Sequence, residues 1–469
     1  MPIDINLFRT AKGGNPELVR ESQRKRFQSV EIVDEIIELD NQWVKASYDL
    51  AQARKVLNDL SKQFAVAKKA NESTDDLTEQ ITQAKAKIAT ADDACSALES
   101  SLDNKVNTIG NLVPEDVPVS NDEENNCVRY SSHKTEDLPP QAKLNHIGCF
   151  KAINGSDTIR GTKVAGSRGY FLCGFGALLN QALIQYAQKF LASRGFITMQ
   201  TPFFLEKNVM ARCAQLADFD EQLYKVSGEG NDKYLIATSE QSLCSYFSDE
   251  VVDIKAFNNG YKQYREALKS KYYTETHKGY FEQYAPLTEE EFEQGVILFG
   301  GYSSCFRKEV GKHGQDTLGI FRIHQFEKVE QLILCKPELS HRLHAMMISL
   351  SMEFYDSLNI PYRVVDIVSG ALNDAACRKF DLEGWFPASQ CYRELVSCSN
   401  CLDFQSRALN IKDQSKKYYH LLNSTLTATE RTMCAIVENC QKDGFIEVPE
   451  ALRNYMGVDK FPFEIQLQK

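Results

Sequence analysis

No stretch of these 469 residues is both apolar and long enough to span a bilayer. The first dozen residues have neither a signal-peptide core nor an Arg/Ser-rich transit character. No membrane partner is expected, and the expected location is the cytoplasm. Positive charge is the minority: 54 Lys and Arg against 64 Asp and Glu leave a net charge of −10. That balance argues against a general nucleic-acid coat, so any RNA contact must come from local basic faces. There is no Gly-x-x-x-x-Gly-Lys-Ser/Thr loop, hence no support for P-loop nucleotide binding. Cys398 and Cys401 form a C-x-x-C, yet no second pair and no spaced His pair completes it. Two packed thiols are expected there, and no zinc. The 14 cysteines are scattered irregularly, as reduced thiols are, rather than in a disulfide framework. Internal repeats and low-complexity tails are also missing.

What is present is enough chain for two or three domains, 43% hydrophobic and 25% charged, as soluble folded proteins are. Asn15-Pro16-Glu17 reads as a helix start: an N-cap, a first-turn Pro and an acid at the positive end. The following segment, Leu18 to Phe27, carries Arg20, Arg24, Lys25 and Arg26. It reads as a solvated face, with a surface near RNA as the sharper alternative. A heptad pattern then runs Ile36, Leu39, Trp43, Ala46, Leu50, Ala53, Leu57, Leu60, Phe64, Ala67. After a polar break at Lys68 to Asp76, a second runs Leu77, Ile81, Ala84, Ile88, Ala91, Cys95, Leu98, Leu102. Two such seams predict an antiparallel coiled-coil hairpin, each arm reaching on the order of 45 Å.

Asn111 to Tyr130 reads as a linker. Beyond it, Leu178 to Leu191 and His341 to Leu358 have helical periodicity. Phe196 to Phe204 reads as a strand interrupted by Pro202, and Ile320 to Leu334 as strand sequence. The mixture predicts an α+β fold, an antiparallel β-sheet flanked by helices, rather than regular βαβ units. The boundary is placed between residues 115 and 116. Val252 to Gln294 reads as an insertion, ordered, mostly helical and packed on the main body, a decoration stabilised by its own small core rather than an added partner or dimer contact.

The chemistry concentrates in Phe306-Arg307-Lys308-Glu309 and in Phe321-Arg322-Ile323-His324-Gln325-Phe326-Glu327-Lys328-Val329-Glu330. A polar, Gly-containing excursion, Val310 to Gly319, separates the two. Strand alternation would put Arg307 and Glu309 on one face, and Phe326 and Glu330 on one face of the returning strand. Such a hairpin offers a guanidinium for a phosphate, a ring for a base and carboxylates for amino groups. Those are the needs of an enzyme that joins an amino acid to ATP.

This stretch resembles motif 2 of the class II aminoacyl-tRNA synthetases, specifically the seryl-tRNA synthetases. Gly195-Phe196 and Thr201-Pro202-Phe203-Phe204 look like motif 1, which implies a homodimer. Thr238-Ser239-Glu240 is similar to the T-x-E element that faces the amino acid. Arg393 to Asn400 resembles the stretch that holds Mg2+ on ATP, with Glu394 and Ser397 as ligands. Asn423, Thr425 and then Thr429-Glu430-Arg431-Thr432 resemble the serine pocket and motif 3, whereas Arg407 is assigned to an earlier strand.

The resemblance implies the site. Arg307, Glu309 and Arg431 would be catalytic. ATP would lie against Arg307, Glu309, Ile323, His324, Gln325, Phe326, Glu394, Leu395, Val396, Ser397 and Arg431. L-serine would lie against Thr238, Ser239, Glu240, Arg307, Glu330, Asn423 and Thr425, with Glu330 on its ammonium and hydroxyl. The loop Val310 to Leu318, with Lys312 and His313, would meet the tRNA acceptor end. The implied reaction is charging of tRNA(Ser); tRNA(Sec) as a second acceptor is left open. His146-Ile147-Gly148-Cys149 lacks the last His of the other synthetase class's signature. No basic tail follows Phe463, so functions of such a tail are not expected. Two other readings stand beside this one. One is a catalytically inactive paralogue that binds RNA or protein; the other is an adenylating enzyme that serves a carrier protein.

Overall fold

A computed structural model describes residues 1–213, 222–228, 230–309 and 319–464. The chain divides into two compact units, Met1–Leu112 and Val113–Lys469.

In the first unit, helix α1 (Pro16–Lys25) begins where Asn15 accepts a hydrogen bond from the Glu17 main-chain N–H, with Pro16 at the first helical position. Helices α2 (Glu31–Lys69) and α3 (Asp75–Val106) form the hairpin around a turn at 70–74. Every seam position named above is buried or half-buried, and the residues between them are mostly exposed. A strict period of 3.5 keeps one stripe facing its partner along the whole arm. At the base, Arg9 grips buried Asp40 with two bonds, 2.6 and 2.7 Å. The basic face of α1 is largely committed: Arg20 pairs with Glu17 and Asp34, Arg24 with Glu17 and Glu21, and buried Arg26 donates to the Asn111 carbonyl at 2.9 Å. Those guanidiniums brace the helix, and buried Arg26 departs from the expected solvated face.

The second unit is built on an eight-stranded sheet. In chain order its strands are β1 (Cys127–Ser131), β2 (Ile197–Gln200), β3 (Val296–Phe306), β4 (Gln325–Cys335), β5 (Tyr362–Asp366), β6 (Arg378–Phe386), β7 (Cys391–Asn400) and β8 (His420–Ala428). Their spatial order is β1-β5-β6-β7-β8-β4-β3-β2. Only β2–β3 is parallel; every other adjacent pair is antiparallel. Helices α4 (Gly174–Ala192), α5 (Ser340–Ser357) and α6 (Thr429–Asn439) supply one side of the main core. Alternation assigns the β4 side chains: Val329, Ile333 and Cys335 join that core. Leu332 and Leu334 join a second core on the opposite face, with Phe299 and Leu421. Farther along that second face, polar side chains replace apolar ones.

Three sequence expectations need correction here. The linker Asn111–Tyr130 ends in β1, and its Val113 and Val117 are buried against Val365, Ile367 and Leu372. Arg407 lies on a short helix, Phe404–Leu409, instead of a strand. The segment 252–294 has helices Ile254–Gly260, Lys262–Leu268 and Glu289–Gly295, as expected, but it lacks a separate core. Phe281, Leu287 and Phe292 belong to the main core, while Val252 and Ile254 belong to the second. Each lost buried Phe costs about 3–5 kcal/mol, against a total stability of about 5–15 kcal/mol. Excising 252–294 should therefore abolish cooperative unfolding, read by circular dichroism during a urea titration. A cooperative transition in the shortened chain would restore the decoration reading.

Candidate active site

The polar half of the second face is a cleft. Its walls include Arg307, Glu309, Phe321, Arg322, Ile323, Phe326, Lys328, Glu394, Leu395, Thr425, Glu430 and Arg431. Two β-bulges aim its residues. Glu383 pairs with Glu394 while Leu382 pairs with Val396, so Leu395 is an extra residue in β7. Leu395, Val396 and Cys398 turn into the main core, and Glu394 and Ser397, three apart, share the opposite face. A second bulge at Leu426 in β8 separates Thr425, opposite Glu330, from Ala428, opposite Lys328.

Glu330 is only 3% exposed, and its carboxylate is crowded with donors. Thr238 Oγ1 donates at 2.8 Å, the Glu240 main-chain N–H at 3.1 Å, Ser239 Oγ donates as well, and Lys328 Nζ forms an ion pair with it. Burial raises this acid, but Lys328 and the hydroxyls outweigh it and hold Glu330 below the usual carboxylate range. Gly301 makes this meeting possible. It stands opposite Glu330, and a Cβ there would come within 2.5 Å of Leu243 Cδ1 on the helix Ser239–Cys244. Glu240 differs from Glu330. Gln405 Nε2 donates to it at 2.7 Å and Asn423 Nδ2 at 2.9 Å, both uncharged. Burial and the neighbouring Glu330 push its carboxyl up to about 7.

On the other side of the cleft, the strand argument for Arg307 and Glu309 does not hold. β3 ends at Phe306, and Glu309 has φ +51°. Arg307 continues the ladder by one bond, its N–H donating to the His324 carbonyl at 2.9 Å. Its Nε donates to the Ala237 carbonyl at 3.2 Å, and its guanidinium lies 5.2 Å from the Phe326 ring centre. The left-handed residue turns Glu309 back to Arg322, with Arg168 at 3.8 Å. Phe326, Lys328 and Glu330 do share one face of β4, as alternation requires. Arg431 spans the cleft mouth, 3.7 Å from the Glu394 carboxylate and 5.1 Å from the Phe321 ring centre. Burial raises Glu394, yet Arg431, Lys379, Arg307 and Lys328 together hold it below the usual range. An ionised carboxylate and a hydroxyl on one face suit a hard divalent cation that retains waters.

Not every expected residue reaches the cleft. Val396 is fully buried in the core, and strand sequence begins at Gln325, not at Ile320. The His324 and Gln325 side chains line a separate hollow with Phe306, Tyr224 and the turn 165–170. The loop Val310 to Leu318 lies outside the described residues. Phe321, Arg322, Lys328, Arg168 and Gln405 were not singled out from sequence. Lys328 was findable, since it lies two residues from both Phe326 and Glu330 on an alternating strand. Arg168 and Gln405 come from distant segments and carry no local signal.

Comparison with known proteins gives two matches to family models. Residues 3–113 match a seryl-tRNA synthetase N-terminal domain, and residues 297–440 match the class II tRNA synthetase core domain for G, H, P, S and T. The chain is 47% identical to the cytoplasmic serine–tRNA ligase of Arabidopsis thaliana, over 98% of this chain and 96% of that one. It is 44% identical to the Saccharomyces cerevisiae cytoplasmic enzyme, over 100% and 97%. Among solved structures, it resembles the cytoplasmic serine–tRNA ligase of Naegleria fowleri in complex with AMP. That match has a TM-score of 0.81 and 42% identity, and covers 98% of this chain and 99% of that one.

Proposed function

The chain belongs to the seryl-tRNA synthetase family of class II synthetases, and from that premise we propose how its cleft divides the work. The enzyme is a cytoplasmic serine–tRNA ligase. The serine carboxylate attacks the α-phosphorus of ATP, pyrophosphate leaves and seryl-adenylate forms; a terminal ribose hydroxyl of tRNA(Ser) then attacks its acyl carbon, giving up its proton, and AMP leaves. The observation that carries the assignment is one shared sheet face. Phe326, Glu330, Asn423 and Thr425 lie on it, and Arg307 and Glu240 meet them from the end of β3 and from the helix Ser239–Cys244.

In this reading Arg307 spans the serine carboxylate and the α-phosphate, where its planar fork suits two oxygens. Phe326 stacks on the adenine, Glu309 accepts from the adenine amino group, and Arg431 meets the outer phosphates. Ile323 and Leu395 close the apolar side. Glu394 and Ser397 would hold Mg2+, which neutralises phosphate charge when bound. No side chain acts as a nucleophile; positioning and fixed positive charge lower the barrier. Thr425 faces the serine hydroxyl, and alanine would leave that polar corner unpaired. The stretches that resemble motif 1 flank the edge strand β2, and the exposed Phe204 in the second of them suits a homodimer contact.

Glu330 already has a cation in Lys328, and Glu240 has none among its hydrogen-bond partners. Glu240 therefore takes the serine ammonium, while Glu330 anchors the Thr238–Glu240 turn and reaches the hydroxyl. The sign of the pH dependence follows. Only ionised Glu240 binds an ammonium, and its carboxyl is pushed up to about 7. The serine KM should be flat above that pH and rise by about tenfold per unit well below it. Glu240→Gln should raise the KM and remove the slope. An acid limb near pH 4 would assign the ammonium elsewhere.

The inactive-paralogue reading would need the loss of Arg307, Glu309 or Arg431, and all three line the cleft. The broad test is ATP–pyrophosphate exchange with each amino acid in turn. Exchange supported by serine alone is expected, and none with any amino acid would favour the paralogue. Charging of tRNA(Ser) and of tRNA(Sec) transcripts separates the two acceptors, and acylation of a carrier protein instead would support the remaining reading.

A further inference from the structure

Where the cleft wall at Glu430 meets the helix-bearing face of the sheet lies an acid pair that has no role in the reaction as described. Glu430 is 1% exposed. It accepts from Tyr170 Oη at 2.9 Å, from the Glu327 main-chain N–H at 3.1 Å and from Thr429 Oγ1 at 3.1 Å. The Glu327 carboxyl group adjoins that of Glu430 and pushes it up. The outer oxygens of Glu327 accept from Asn180 Nδ2 at 3.1 Å and Ser304 Oγ at 3.5 Å. Burial acts on Glu430 first and Glu327 next, and no Lys or Arg among the described residues forms an ion pair with it. Tyr302 and Cys434 also stand beside the pair: burial and both acids push the phenol up, and burial with Glu438 and Glu430 pushes the thiol up.

Two adjoining carboxylates, one buried and one half-buried and neither in an ion pair among the described residues, cannot both be ionised cheaply. The position of the pair is equally telling. Glu327 follows Phe326, Glu430 precedes Arg431, and Tyr170 is two residues from Arg168, the partner of Glu309. Three of the elements that shape the ATP side, namely β4, the start of α6 and the turn 166–170, are thus fastened to this pair within two residues.

We propose that Glu430 is a positioning residue that works as a neutral acid, keeping a proton shared with Glu327. This link holds β4, the start of α6 and the turn 166–170 in one register. The role rests on the assignment of the cleft to ATP, but the proton link does not. Burial and the adjoining Glu327 push Glu430 well above 4.5, in keeping with it.

The test uses the full chain with Glu430→Gln, a neutral shape-mimic, and Glu430→Ala. In exchange assays, E430Q should stay within about threefold of the parent at neutral pH. E430A should raise the ATP KM by about tenfold or more, with the serine KM within about threefold. Parallel rises in both KM values, or equal damage from Gln and Ala, would overturn the positioning role. Should E430A fail to fold, unfolding of E430Q against pH decides the matter without substrate. A folded acid titrating above its unfolded value holds an extra proton, so parental stability should fall relative to E430Q as pH rises above about 4.5. The unfolding constants should diverge by up to about tenfold per unit. A flat or opposite trend would mean that Glu430 is ionised, and would overturn the proposal. Absence of serine-dependent exchange in the parent protein would instead overturn the ATP reading and leave the proton link standing.

Discussion

Arg307→Ala should lower serine-dependent ATP–pyrophosphate exchange by several orders of magnitude in a protein that still folds. Among the described residues the guanidinium is held at one edge, by Nε on the Ala237 carbonyl and by the Phe326 ring. Its terminal nitrogens are thus presented to the cleft. Losing one fixed donor to a developing charge costs about 10²–10³ in rate. A charged fork serving carboxylate and phosphate together should cost more, on the order of 10³–10⁴. Folding should survive, because Arg307 lies beyond the end of β3 and outside both large cores. Arg307→Lys should recover only part of the loss, since one ammonium cannot bridge two planar acceptors. Near-normal exchange in folded Arg307→Ala would remove this residue from the mechanism.

How far the sequence could reach is clearest in this same region. Residue types and their order were legible, since the needs of a phosphate, a base and an ammonium are local chemistry. The hairpin arm was legible too, because a heptad stripe is a one-dimensional signal that a long helix preserves. Geometry past the strand ends was not. Nothing in Phe306 to Glu309 shows that the strand stops and that Glu309 adopts a left-handed backbone. Neither Leu395 nor Leu426 looks like a bulge residue, yet those two extra positions decide that Glu394, Ser397 and Thr425 face the cleft. The segment 252–294 was misjudged for a related reason. Its aromatic residues showed that something is buried, but a composition cannot say which core receives them. Glu330 shows the same limit in electrostatics. Its ion pair with Lys328 moves the unmet need for a cation to Glu240, and that depends on which acids share donors in space.

The hairpin arm gives the other large expected effect. Replacing Leu39 to Leu102 with a short linker should leave serine-dependent exchange within about threefold of the parent. Charging of tRNA(Ser) should fall by at least about a hundredfold. The first half of the expectation rests on where the arm's contacts lie. Its seam is closed within the first unit, and α2 and α3 bury their stripes chiefly against each other. The adenylation residues all belong to the second unit, whose cores are assembled from that unit alone. The second half rests on how RNA helices can be read. Their deep major groove hides base edges, so a long rigid rod that fits a tRNA's overall form selects by shape. At about 1.5 Å per residue, α2 alone is about 58 Å long, enough to follow such a form well beyond the acceptor end. The paired guanidiniums of α1 make that helix a weak alternative for the same contact. Loss should therefore appear mainly in the tRNA KM and in the salt dependence of charging, with the serine and ATP KM values little changed. If exchange and charging fell in equal proportion, the arm would be supporting the catalytic fold instead of choosing the tRNA.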